Sequence, residues 1–217
     1  MSAGVYLHIP FCKSRCSYCD FATDVYRDDK VIDRYVNALC AEIRGGAVID
    51  TIYFGGGTPS LLTPAQVERI LTVVHTEFDV APDIEVTMEM NPATVTPDSL
   101  AAYRSLGIAR ASFGVQTFND RHLKLLARGH DAADARNTFQ MLRDADFDNI
   151  SFDLIAGLPG QSLDDWERNL DEAIGLSPEH ISLYLLEIHT GTPLAEQVQS
   201  GRRPMPDQDL AATMYET

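Results

Sequence analysis

Short runs of alternating apolar and polar residues recur along this chain, separated by longer stretches with helical spacing. The runs Val5 to Ile9, Thr51 to Phe54, Ile84 to Met90, Ala111 to Gln116, Ile150 to Ile155 and Ile181 to Glu187 read as strands. Between them, helical periodicity appears near 30–44, 64–78, 97–106, 119–146, 162–175 and 192–200, with 119–146 reading as two helices. Thr63-Pro64, Thr96-Pro97 and Ser162 sit at N-cap positions, and both prolines fall at the first helical position, where a missing N–H costs nothing. Six strand-then-helix units predict a parallel sheet with right-handed crossovers, and no linker or low-complexity tract interrupts them.

The two strand faces differ in kind. Ile84, Val86, Met88 and Met90 alternate with Glu85, Thr87 and Glu89, and Ile150, Phe152 and Leu154 alternate with Ser151 and Asp153. Likewise Phe113 and Val115 stand against Ser112, Gly114 and Gln116, and Ile52 and Phe54 against Thr51, Tyr53 and Gly55. A doubly wound sheet covered by helices on both faces would be apolar throughout. The alternation instead predicts an α/β fold of partial TIM-like (β/α)6 barrel type: a curved parallel sheet with helices outside and a polar inner face that lines a site.

Composition narrows the function classes. With 17 Lys plus Arg against 32 Asp plus Glu, the 217-residue chain carries a formal charge of −15, which argues against a nucleic-acid surface. No apolar run approaches the roughly 20 residues of a membrane span, and the start lacks a signal-peptide pattern, so a soluble cytoplasmic protein is expected.

The cysteines change the picture most. Cys12, Cys16 and Cys19 crowd into eight residues directly after the first strand, whereas Cys40 lies at helical spacing to Val36 and Ile43 and reads as a packing thiol. Three clustered thiols in a cytosolic chain point to metal rather than to disulfides. Two chemistries remain open from the residues alone: a Cys3His zinc site completed by His8, or an iron–sulfur cluster with one iron left without a protein ligand. Gly55-Gly56-Gly57-Thr58-Pro59 follows the second strand and reads either as a tight turn or as a close backbone approach to a ligand; no Gly-Lys-Ser/Thr marks it as a phosphate loop. Trp166 reads as helix packing, and His75, His122 and His180 as structural or exposed.

Cys-x3-Cys-x2-Cys with Tyr18 before the last cysteine resembles the signature of the radical S-adenosylmethionine (SAM) superfamily. Further stretches narrow the resemblance to the branch holding the oxygen-independent coproporphyrinogen III oxidases and the HemW haem chaperones: Val5 to Cys12, Tyr53 to Ser60, Glu89-Met90-Asn91-Pro92, Ser112 to Phe118, Gly129-His130 and Asp153 to Gly160. The resemblance implies a [4Fe–4S] cluster on Cys12, Cys16 and Cys19. It also implies SAM contacts from Tyr6, Gly56, Gly57, Thr58, Glu89, Gln116, Arg128 and Asp153, with Tyr18 beside the adenine and Arg128 able to pair with a carboxylate in bidentate fashion. No catalytic residue is assigned. The oxidases carry a fourth cysteine two positions after the third; here that position is Phe21, and the Cys19-Asp20-Phe21 ending resembles the chaperones.

From that resemblance follow the expected partners: haem or a porphyrin, a haem-acceptor protein, and an electron donor such as a flavodoxin-like reductant. Family members also carry a carboxyl-terminal domain with a His-Asn-x-x-Tyr-Trp segment tied to haem binding. Residues 1–217 therefore read as a truncated radical SAM core domain, with haem a cofactor of the full-length protein.

Overall fold

Alternating apolar residues can bury one face of a strand only if helices cover it, and the chain supplies a helix after nearly every strand. The computed structural model describes residues 3–26 and 28–217. In chain order the elements begin with β1 (Ala3–Ile9), the two-residue strands β2 (Phe11–Cys12) and β3 (Asp24–Val25), α1 (Asp29–Glu42) and β4 (Val48–Gly56). A 3-10 turn (Pro59–Leu61) leads to α2 (Pro64–Glu77), β5 (Asp79–Met90), α3 (Pro97–Ser105) and β6 (Arg110–Gln116). The remainder is α4 (Asp120–Leu125), α5 (Ala132–Asp144), β7 (Asn149–Ala156), α6 (Leu163–Leu176), β8 (His180–Leu185), α7 (Pro193–Gln199) and α8 (Gln208–Glu216).

The main sheet has the order β1-β4-β5-β6-β7-β8, and each neighbouring pair runs parallel. Chain order and spatial order coincide, which is the progression of a barrel wall rather than of a doubly wound sheet whose order reverses partway. Register aligns Glu89, Ser112, Ser151 and His180 across four strands, so one polar row crosses the sheet.

Opposite that row, Leu7, Phe54, Met88, Phe113 and Phe152 are buried in one core with helix residues Val36, Ile70, Leu100, Phe139 and Trp166. Burying each such side chain contributes about 1.5–3 kcal/mol relative to leaving it exposed. Phe152 is the hub of an edge-to-face aromatic set with Phe113, Phe118 and Phe139 at 5.1–6.2 Å between centroids. The expected caps are present: Thr63, Thr96 and Ser162 each accept from a backbone N–H of the first turn and form capping boxes.

The strands β4 and β5 start earlier than their periodicity predicts. Val48 pairs with Asp79 and Ile49 with Val80, and the ladder then shifts so that Thr51 meets Glu85. That irregularity absorbs Pro82, which has no N–H to donate. Cys40 is half-buried against the core, as its spacing predicts.

Candidate functional site

Ile9 ends β1, and the next seventeen residues form the loop that carries the three thiols. Backbone bonds fix its course: Asp24 N–H donates to the Pro10 carbonyl at 2.7 Å and Tyr26 N–H to Cys12 at 3.3 Å, which is the β2–β3 pairing. Its far side is tied to the end of α4, because Ser17 donates from N–H to the Leu126 carbonyl at 2.9 Å and from Oγ to Leu125 at 2.8 Å. Leu194 N–H in turn donates to the Ser17 carbonyl at 2.8 Å. Tyr18 packs on a second small core of Leu125, Leu126, Ile155, Leu158, Leu194 and Val198. The cysteine loop is thus held by its own hydrophobic floor.

Beneath the loop, at the carboxyl ends of the strands, lies a cleft of about 490 Å³. Cys12, Cys16 and Cys19 line it together with Tyr18, Gly56, Gly57, Thr58, Glu89, Gln116, Arg128 and Asp153. The structure therefore brings together all the residues singled out above except Tyr6. That ring stands on the inner face 58% exposed, stacks on Tyr53 at 6.0 Å, and meets His8 Nδ1 through its hydroxyl at 3.1 Å.

The acids are held by protein donors. Tyr53 donates its hydroxyl to Glu89 Oε1 at 2.9 Å, and Gly56 N–H donates to Oε2 at 3.0 Å. Burial nevertheless pushes the Glu89 carboxyl above the ordinary range, and burial does the same at Asp153. Burial also raises the Cys12 thiol and pushes the Tyr18 phenol up to about 12. Gln116 is buried at the end of β6 in the left-handed region, φ 67°, beside a register shift between Gly114 and Gln116. For a residue with a Cβ that conformation costs about 1–2 kcal/mol, and such strain gathers at functional sites.

The glycines are needed for a reason other than ligand access alone. A Cβ on Gly57 would stand 2.6 Å from the Phe11 carbonyl oxygen and 3.0 Å from Cys12 Sγ. One on Gly56, at φ +119°, would meet the His8 ring at 2.9 Å. The loop after β4 therefore presses on the cysteine loop itself.

Arg128 is the centre of the polar network. Its NH1 group donates to Cys16 Sγ at 3.5 Å and to the Tyr18 hydroxyl at 3.4 Å; NH2 donates to the Gly114 carbonyl at 2.7 Å and to Asn91 Oδ1. Only Nε is buried without a partner. A bidentate grip on a ligand carboxylate, as the resemblance allows, requires part of this set to be exchanged. Asn91 is the residue that the motif reading passed over: it lines the cleft and donates from Nδ2 to Thr58 Oγ1 at 2.8 Å. Its signal was present in Glu89-Met90-Asn91-Pro92, where an Asn before proline reads as turn chemistry.

The zinc alternative does not fit. His8 spends both ring nitrogens inside the protein, Nδ1 on Tyr6 and Nε2 on the Ala22 carbonyl at 2.9 Å. Among the described residues no three His, Cys, Asp or Glu side chains converge as a single ion requires. A cluster whose irons are each held by a separate thiolate needs no such convergence, and the unpaired Arg128 Nε leaves a buried donor for an anionic ligand.

Comparison with known proteins agrees with this geometry. The Radical SAM superfamily profile matches residues 6–173. Heme chaperone HemW of Synechocystis is 38% identical over 99% of this chain and 54% of its own length, and radical S-adenosyl methionine domain-containing protein 1, mitochondrial, of Mus musculus is 39% identical over 99% and 50%. The chain thus spans about half the length of these curated relatives. Coproporphyrinogen III oxidase (HemN) from Escherichia coli superposes with a TM-score of 0.87 at 29% identity, over 98% of this chain and 50% of that one. Archaeal Elp3 from Methanocaldococcus infernus, at TM-score 0.66 and 17% identity, shares the fold alone. With three thiols over a cleft that holds Glu89, Arg128 and Asp153, a six-stranded parallel wall and relatives matched along nearly its whole length, the chain belongs to the radical SAM superfamily, in its HemN/HemW branch.

Proposed function

We propose that this chain is the core of a haem chaperone of the HemW type, holding a [4Fe–4S] cluster on Cys12, Cys16 and Cys19 and SAM in the cleft beside them. The observation that carries the reading is the thiol loop itself: three cysteines line the cleft, and the residue after Asp20 is an exposed Phe21 rather than a fourth thiol. Family membership implies both the cluster and SAM; held by Cys12, Cys16 and Cys19, such a cluster would, once reduced, supply an electron for SAM cleavage.

The chain's own residues do the holding. Gly56, Gly57 and Thr58 offer backbone and hydroxyl groups to the amino end of SAM, and Gln116 brings an amide to the floor of the cleft. Glu89 and Asp153 accept from ribose hydroxyls or the ammonium. Tyr18, which lines the cleft, borders the adenine. Ile155, Tyr184, Leu185 and Leu186 add apolar surface to the cleft lining. Haem delivery to an acceptor, and reduction by a flavodoxin-like donor, complete the proposed role.

Anaerobic reconstitution tests the reading. The wild-type chain is expected to take up about four iron and four sulfide, as a cubane cluster requires, with Cys16→Ser losing most of both. A colourless protein holding one zinc and no sulfide overturns it. The chaperone part falls if the full-length protein takes up no haem on titration. The fold likeness to HemN favours a second reading, a porphyrinogen oxidase, whose test is anaerobic turnover of coproporphyrinogen III with SAM and a reductant.

A further inference from the structure

The polar chain around Arg128 has a forced direction. Guanidinium has only donors, so the Asn91 atom facing Arg128 NH2 must be the oxygen, as found. The Asn91 amide nitrogen is then left for Thr58 Oγ1, to which it donates at 2.8 Å. Because that oxygen accepts from Asn91, its own proton is free to point elsewhere, and Cys12 Sγ lies 3.7 Å away. At the other end Arg128 NH1 donates directly to Cys16 Sγ at 3.5 Å. Two of the three thiols therefore each receive a donor, and the two donors are joined through one amide. Thr58 is 4% exposed, so water does not replace its bond cheaply.

We propose that Thr58 and Arg128, oriented through Asn91, set the reduction potential of the cluster held by the cysteine loop. The inference rests on the cluster reading above and goes beyond binding. A hydrogen bond donated to a thiolate sulfur draws electron density off the iron–sulfur unit, and a buried guanidinium adds a fixed positive charge beside it. Both favour the state that has gained one electron. The pair thus raises the potential relative to the same cluster without it. In setting the potential, Thr58 and Asn91 are positioning residues: this effect passes through Cys12 sulfur and Arg128 and needs no contact with SAM.

An equilibrium redox titration of the reconstituted chain, followed by the electron paramagnetic resonance of the reduced cluster with no SAM present, tests this. Thr58→Val keeps the side-chain shape and removes the donor. It is expected to load iron and sulfide like wild type and to show a reduced-to-oxidised ratio lower by up to about tenfold at fixed solution potential, which is 59 mV for a one-electron couple. Thr58→Ser restores the wild-type ratio, and Arg128→Lys, which keeps a cation without the fork, lowers it. A fully loaded Thr58→Val with the wild-type ratio overturns the inference while leaving the cluster reading intact. So does a Thr58→Val that loads no cluster, because Thr58 is then structural. A wild-type chain that takes up no iron or sulfide overturns the cluster reading itself.

Discussion

His130 is 8% exposed behind Arg128, with Nε2 3.4 Å from the Val115 carbonyl. Burial, then the Arg128 charge, lowers its pKa to about 4. The folded state thus binds fewer protons than the unfolded state between about pH 6.5 and 4, and stability drains as pH falls through that window. Glu89 and Asp153 work in the opposite sense, since burial raises them and their contribution weakens as pH rises through their folded pKa values. The unfolding free energy of wild type relative to His130→Gln, from urea titrations, is expected to fall by up to a few kcal/mol as pH drops from about 6.5 to about 4. A constant difference across the range would mean that the imidazole does not titrate against folding. At this scale the sequence was most legible for the thiols, whose spacing announces them. It was least legible for Asn91, because an amide's role depends on which groups the fold places on either side of it. Arg128 was legible as a cation but not as a residue whose terminal nitrogens are already engaged.

Among the elements, α8 is tied to α6 by a buried side-chain hydrogen bond. Trp166 is fully buried on α6 and donates Nε1–H to the Met214 carbonyl at 2.7 Å, while Met214 is the buried residue of α8. Trp166→Phe keeps an aromatic ring and orphans that carbonyl, so it is expected to cost about 1–3 kcal/mol. Faster amide exchange confined to 208–216 would place the loss in α8; a uniform increase would mean that Trp166 serves the whole core instead. Strand and helix order were legible because each strand buries one face only, so a period of two survives in the sequence. The β2–β3 pairing was not, since two residues carry no period. The early start of β4 and β5 was hidden by Pro82 and Asp83, residues that strands disfavour, which fall in the register shift between Val80 and Glu85.

Across the whole molecule, 32 acidic side chains face 17 basic ones, the cleft-lining Glu89 and Asp153 among them. Self-repulsion of this kind opposes compaction and is screened by salt. Raising ionic strength from about 0.01 M to about 0.15 M shortens the screening length from about 30 Å to about 8 Å, and the thermal midpoint of the chain is expected to rise. A midpoint that falls would show that specific ion pairs such as Arg136–Glu172, at 2.6 Å, outweigh the general repulsion. No helix among the described residues is long and apolar enough to cross a membrane. The global stability of a domain is of order 5–15 kcal/mol, and Gln116 in its left-handed conformation consumes about 1–2 of that. Glycine at position 116 would relieve that strain, partly offset by the extra entropy of the unfolded chain, and strip the amide from the cleft floor. Selection for heat resistance alone would therefore reward the loss of a cleft-lining side chain, and a thermostabilised descendant of this protein is safest when position 116 is exempted from the library.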